Sequence, residues 1–277
     1  MASIATRDIA VGDHHLHVST SGDPTAQPLL LLHGSGPGAT GLSNWEGALV
    51  ALGDDFYCIA PDLLGFGDST HPDPAPVGIA AFGDARADSI IDLLDVLGIG
   101  TTHVVGNSMG GMIAMVIRRK AAERLDHIVL MGSGGAPFPP TEDLIKMVTF
   151  PQNPTQEAME ALLTRFVYEP SLFGDQLAEI AAARLPRATR PDVLRSHLAT
   201  FGGGPTIKFS PDELAAVDNE VLLIHGQDDR FIPVAASHFF FEHLPNAQLH
   251  IIKKCGHWAQ IEHGSTFHAL VRGFLPH

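Results

Sequence analysis

The chain has 277 residues, of which 45% are hydrophobic and 17% charged, enough to bury a large core in one or two domains. Its formal net charge of -14 argues against nucleic acid or an anionic membrane surface as a partner, because both call for basic patches. Two cysteines, Cys58 and Cys255, make neither a disulfide scaffold nor a metal knuckle.

The first ten residues, MASIATRDIA, lack a charged region followed by a long apolar stretch, so no signal peptide is expected. No apolar run approaches the roughly 18 residues of a membrane span, and a cytoplasmic protein is the default expectation. HHLH then reads as a strand with His15 and His17 on one face. Without an HExxH or a Cys/His cluster at ligand spacing, it reads as an exposed strand face, and no metal site is expected.

Short apolar runs follow at PLLLLHG (28–34), FYCIAPD (56–62), THVVGN (102–107), HIVLMG (127–132), EVLLIHG (220–226) and AQLHIIKK (247–254). Most are continuously apolar, the mark of parallel strands covered on both faces. Between them lie helical patterns. From Asp84 to Leu97 the apolar residues Ala87, Ile90, Ile91, Leu94 and Leu97 keep helical spacing, with Gly98 placed to end the helix. Gly110 to Ile117 is apolar all round and predicts a buried central helix. Arg118, Arg119 and Lys120 then read as cations at its negative end. VAASHFFFEHL after Pro233 and IEHGSTFHALVRGFL complete the alternation, which predicts a mostly parallel, doubly wound α/β sheet.

The alternation stops between residues 137 and 218. PFPPTEDLIKMV, TQEAMEALLTRFV, DQLAEIAAARL and RPDVLRSHLATF read as helices, and no strand appears before EVLLIHG. Residues 1–136 and 219–277 are therefore expected to form a core, and 137–218 a helical cap over the carboxyl ends of the strands, where open α/β sheets bind ligands.

GNSMG (106–110) fits G-x-S-x-G after a buried strand and before a buried helix. The turn of such an elbow is tight enough to strain the serine and to exclude side chains two residues away, hence Gly106 and Gly110. A serine hydroxyl needs a base, and the base an orienting acid. HGQDDRFIP supplies acids beyond one strand and KCGHWAQIEH supplies His257 beyond the last. Asp229 fits the G-x-x-D-x-x-x-P spacing of Gly226 and Pro233, and Asp228 reads as its solvated neighbour. GSGG after HIVLMG offers no carboxylate. For an oxyanion, backbone N–H donors are expected from Met109 and from Ser35 in HGSGPGAT. That loop is no phosphate cradle, having neither G-x-G-x-x-G nor a Walker lysine. His33, His225, Asp62 and Ser69 read as loop- and turn-ordering residues.

HGSGPGATGLSNW (33–45), DLLGFGDS (62–69), GNSMGG (106–111), GQDDRFIP (226–233) and CGHWAQIEH (255–263) together resemble the α/β-hydrolase superfamily, and within it the meta-cleavage-product hydrolases of aromatic degradation. The resemblance implies an α/β-hydrolase fold, a triad of Ser108, Asp229 and His257, and no cofactor. It places Asn44, Asn107, Phe231 and Trp258 at the active site and Gly36 in the oxyanion loop. The implied reaction is hydrolysis of a C–C bond in a 2-hydroxy-6-oxo-dienoate, a small-molecule substrate. A homodimer fits the resemblance, although no interface signature stands out.

One departure is expected. The family carries an arginine in a cap helix that pairs with the substrate carboxylate. Aligned from Tyr168 through Leu177, that position falls near Ala181, but Arg184, one turn further along on a similar face, is the candidate to replace the guanidinium in substrate binding, a solvent-facing cap residue being its other reading. A missing clamp leaves room for an esterase or lactonase on the same triad, and an intact triad does not exclude a ligand receptor that performs no chemistry. Relatives that use a carboxylate nucleophile are excluded by Ser108.

Overall fold

Parallel strands need crossovers, and the helices that supply them cover both faces of one sheet. The computed structural model describes residues 2–276. Eight strands, β1 (Ala5–Val11), β2 (His14–Ser21), β3 (Pro28–Leu32), β4 (Tyr57–Pro61), β5 (Thr102–Asn107), β6 (Leu125–Met131), β7 (Val221–Gly226) and β8 (Ala247–Ile252), make a single sheet. Their order is β1-β2-β4-β3-β5-β6-β7-β8, with β1 and β2 antiparallel to their neighbours and the remainder parallel. β3, β5 and β7 are buried almost throughout, whereas the edge strand β8 is only partly covered.

Helices α1 (Gly41–Leu52), α2 (Ile79–Val96) and α3 (Met109–Lys120) follow β3, β4 and β5. Four helices, α4 (Glu142–Val148), α5 (Gln156–Phe166), α6 (Gln176–Ala188) and α7 (Pro191–Thr200), fill the segment after β6. The short α8 (Pro211–Ala215) precedes β7. α9 (Ala235–His243), α10 (Ala259–Glu262) and α11 (Gly264–Phe274) complete the chain. Leu30, Val104 and Ile113 belong to an apolar cluster under α2 and α3, while Leu29, Trp45, Val105 and Phe267 form another under α1 and α11. These are the two covered faces that continuously apolar strands require.

A third cluster, including Met159, Leu163, Phe166, Leu177 and Ala181, belongs to the helices inserted after β6. Ile207, Phe209, Leu214 and Val217 already pack with the sheet, so the chain has returned to the core before residue 218. Among the described residues, no helix is long and apolar enough to cross a membrane.

Candidate active site

β5 ends at Asn107, and Ser108 is the N-cap of α3 with φ 55° and ψ −113°. A side chain at that positive φ is strained and persists only where its surroundings hold it. Its N–H donates to Met131 O at 2.9 Å, and its carbonyl accepts from Met112 N and Gly134 N at 3.2 and 3.1 Å. The flanking glycines are steric necessities: a Cβ on Gly110 would lie 2.1 Å from Leu32 O, and one on Gly106 2.5 Å from Gly111 Cα.

Loops after β7 and β8 carry the acid and the imidazole. His257 Nδ1 donates to Asp229 Oδ2 at 2.6 Å, while Phe231 N and Ile232 N donate to Oδ1 at 2.8 and 3.0 Å. The Asp229 side chain is almost fully buried, and burial alone would raise its pKa. His257 and His225 outweigh that and hold the carboxyl below the ordinary carboxylate range. Asp228 is exposed. Ser108 and His257 face one pocket without a hydrogen bond between them, a looseness common before substrate binds.

The loop after β3 passes directly over Ser108. A Cβ on Gly34 would stand 2.9 Å from Asn107 Oδ1 and 3.4 Å from Ser108 Cβ, so glycine allows this approach. His33 fixes the loop: Nδ1 donates to Gly34 O at 2.7 Å and Nε2 accepts from Leu63 N at 2.9 Å. Burial, reinforced by the cations of Arg86 and Arg184, lowers His33 to about 4, so it is neutral at pH 7. Met109 N, at the first position of α3, has no acceptor within its own helix. Asp62 accepts from Gly41 N and Asp68 N, and His225 bonds Ser237 and Ile232.

Two cavities meet at Ser108. The narrow one, with about 10 Å³ of free space, is lined by Ser35, Asn44, Asn107, Arg184, His257 and Trp258 among others. At the cap, the fold separates the two positions weighed for the guanidinium. Ala181 faces the apolar cluster of the cap, and Arg184, 3% exposed, projects from α6 into the pocket. Its guanidinium lies 5.0 Å over the Trp258 ring, and a Cβ on Gly36 would be 3.5 Å from its Nη1. Arg184 Nε and Asn44 Nδ2 are buried donors without partners, and no carboxylate among the described residues pairs with Arg184. Burial, with Arg187 nearby, lowers Arg184 to about 10, which leaves it cationic at neutral pH. A buried cation without a counter-ion is costly, and an anion entering the pocket relieves that cost.

The second cavity, about 470 Å³, runs from Ser108 between the core and the cap. Met112, Val148, Phe201, Ile207 and Phe231 give it an apolar wall, with Lys208 at its margin. Phe166 of α5 is a site residue that no sequence motif marks. It stacks between Phe231 and Trp258 at centroid distances of 4.0 and 4.5 Å, and its carbonyl accepts from His257 N at 2.7 Å. Its only signal in the sequence is an apolar position at the end of a cap helix.

The model of the α/β-hydrolase fold family matches residues 27–264. The 2-hydroxymuconate semialdehyde hydrolase of Pseudomonas sp. strain CF600 is 37% identical over 94% of this chain and 89% of its own length. The solved 2-hydroxy-6-oxo-6-phenylhexa-2,4-dienoate hydrolase of Rhodococcus sp. strain RHA1 superposes with a TM-score of 0.95 at 33% identity, covering 99% of each chain. The chain belongs to the α/β-hydrolase family, among the meta-cleavage-product hydrolases. A meta-cleavage product hydrolase of Pseudomonas fluorescens IP01 agrees, with a TM-score of 0.89 at 33% identity over 97% of this chain and 96% of that one. In this hydrolase the elbow, the acid loop and the imidazole loop stand at one edge of the sheet, under the inserted helices.

Proposed function

We propose that the protein hydrolyses a C–C bond in a 2-hydroxy-6-oxo-dienoate, with Ser108 as nucleophile, His257 as base and Asp229 as the acid that orients it. The observation that carries this reading is Arg184, a buried guanidinium without a carboxylate partner, in the same pocket as Ser108 and His257. Its fork matches a carboxylate. The pocket has room for about one water, so the substrate's carboxylate enters as the Arg184 side chain withdraws. Asn44 and Asn107 line the same space for the 2-oxygen. The apolar cavity takes the distal group beyond the 6-carbonyl.

The dienol first ketonises, taking a proton at C5. His257 then accepts the Ser108 proton as Oγ attacks the 6-carbonyl, and the N–H groups of Met109 and Ser35 receive the oxyanion. Cleavage leaves the bonding pair on C5, from which it delocalises to the 2-oxygen beside Arg184 and the asparagines. Protonation releases a 2-hydroxydienoate, and water releases the distal carboxylic acid from Ser108. The ester or lactone alternative rests on a missing clamp, and Arg184 in the pocket supports the dienoate reading over it.

Exposure to yellow 2-hydroxy-6-oxo-dienoates and to p-nitrophenyl esters tests the reading. The dienoate should be bleached with a kcat/KM about a thousandfold or more above that of the esters. Ester turnover with no loss of dienoate colour would refute it.

A further inference from the structure

β5 and β6 fall out of step at their amino ends. Thr102 pairs with Leu125 and Val104 with Ile128, so one residue of β5, His103, faces two of β6, Asp126 and His127. An extra residue of this kind re-aims side chains. Here it brings together three groups from positions 23 and 24 residues apart in the chain, at a spacing no sequence motif encodes.

The three groups are arranged as ligands. His127 Nδ1 lies 3.1 Å from Asp126 Oδ1, His103 Nδ1 lies 3.5 Å from Asp126 Oδ2, and all three ligand atoms fall within 4.8 Å of one another. Bonds of about 2.0–2.2 Å in a tetrahedral array set ligand atoms roughly 3.3 Å apart, close to the two shorter separations. His103 Nε2 faces Pro276 O at 3.3 Å, and His127 N faces His103 Nδ1 at 3.3 Å. Both contacts assign the proton to Nε2, with the backbone carbonyl orienting the ring as in many metal sites. The Nδ1 lone pair accepts a long bond from His127 N, which an ion has to displace. His127 Nδ1 is buried without a hydrogen-bond partner. The Asp126 carboxylate is 47% exposed and gives an ion a way in from solvent.

We propose that His103, Asp126 and His127 form a site for one divalent transition-metal ion of the Zn²⁺ class. Two imidazole nitrogens and one carboxylate suit Zn²⁺, Co²⁺ or Ni²⁺, whereas Ca²⁺ and Mg²⁺ favour oxygen-rich shells. Water completes the coordination. Five residues of extended chain, about 16 Å, separate His103 from Ser108 at the opposite edge of the sheet, so the ion takes no part in hydrolysis. It ties β5 and β6 to the C-terminal segment, where Phe274 packs on His127 and Pro276 bonds His103.

The test is a titration of untagged, chelator-treated full-length protein with Co²⁺ and then Zn²⁺. One Co²⁺ per chain should bind with the visible bands of a four- or five-coordinate nitrogen–oxygen site. Zn²⁺ should bleach those bands and raise Tm. His127→Gln and Asp126→Asn, both at partly exposed positions, should each weaken binding about tenfold or more and abolish the Tm rise, with hydrolysis rates unchanged. If the wild type takes up neither ion, the proposal is overturned. It also falls if both folded variants keep the wild-type affinity, because the ion would then sit elsewhere, for instance at His15 and His17.

Discussion

The guanidinium of Arg184 lies 5.0 Å above the ring of Trp258, on the wall of the pocket that holds Ser108 and His257. The ring face offers the cation partial compensation, and its charge remains available to an incoming anion. α6 sets this up by helical geometry: Leu177, Ala181, Arg184 and Ala188 are its buried residues, one stripe at helical spacing. Three of the four are apolar and pack within the cap, and the fourth reaches beyond them.

Replacing Arg184 should separate acidic from neutral substrates. Loss of one partner from a buried, hydrogen-bonded charge pair costs about 3–5 kcal/mol. Arg184→Ala should therefore lose about 10²–10⁴-fold in kcat/KM on a dienoate, with p-nitrophenyl esters barely affected. Arg184→Lys should recover only part, since an ammonium lacks the planar fork. Equal losses on both substrate classes would remove Arg184 as the carboxylate clamp.

The proposed triad of Ser108, Asp229 and His257 makes two kinetic predictions. Ser108→Ala should reduce turnover by about 10³ to 10⁶ while the dienoate still binds. Asp229→Asn should cost about 10⁴-fold in kcat, because an amide no longer holds His257 in the tautomer with its proton on Nδ1. Both are read from single-turnover traces of dienoate absorbance. A wild type that binds dienoate without turning it over would indicate a receptor on a hydrolase fold.

Glycines should divide sharply by location. Gly110→Ala would drive a methyl to 2.1 Å from Leu32 O and must shift β3 or α3. It should lose activity and several degrees of Tm. Gly273 is an exposed residue of α11, and a Cβ added there would meet nothing within 4 Å. Gly273→Ala should stabilise by about 0.5–1 kcal/mol, since glycine costs that much in a helix interior. Thermal melts of the two variants should move in opposite directions.

Much of the site could be read from the sequence because its chemistry follows buried strands in chain order. GNSMG, GQDDRFIP and CGHWAQIEH each begin where an apolar run stops, and a parallel sheet brings such ends to one edge. Two features stay hidden in the sequence for physical reasons. α1 escapes notice although Thr40 and Ser43 form a capping box and Trp45, Leu49 and Leu52 keep helical spacing, because its glycines and serine resemble a loop. The convergence of His103, Asp126 and His127 depends on a slip between two strands, which no local pattern reports.

His33 gives the fold a pH dependence whose sign is fixed. Its folded-state pKa, about 4, lies below its ordinary value because of burial and the cations of Arg86 and Arg184, with the Gly34 hydrogen bond opposing. Between about pH 6.5 and about pH 4 the unfolded chain binds a proton there that the folded chain does not. The contribution is therefore complete above about pH 6.5 and is lost as pH falls towards 4, by about 3 kcal/mol in all. His71, His197 and His268 are also lowered by burial and share this sign, so the wild-type slope belongs to several residues. The difference between wild type and His33→Gln isolates one of them. Urea midpoints from about pH 4.5 to about pH 7 should rise less steeply in the variant, by nearly one proton's worth of slope. The variant should also be weaker at pH 7, because His33 joins the loop after β3 to Leu63. An unchanged slope would mean that His33 is protonated equally in the folded and unfolded chains.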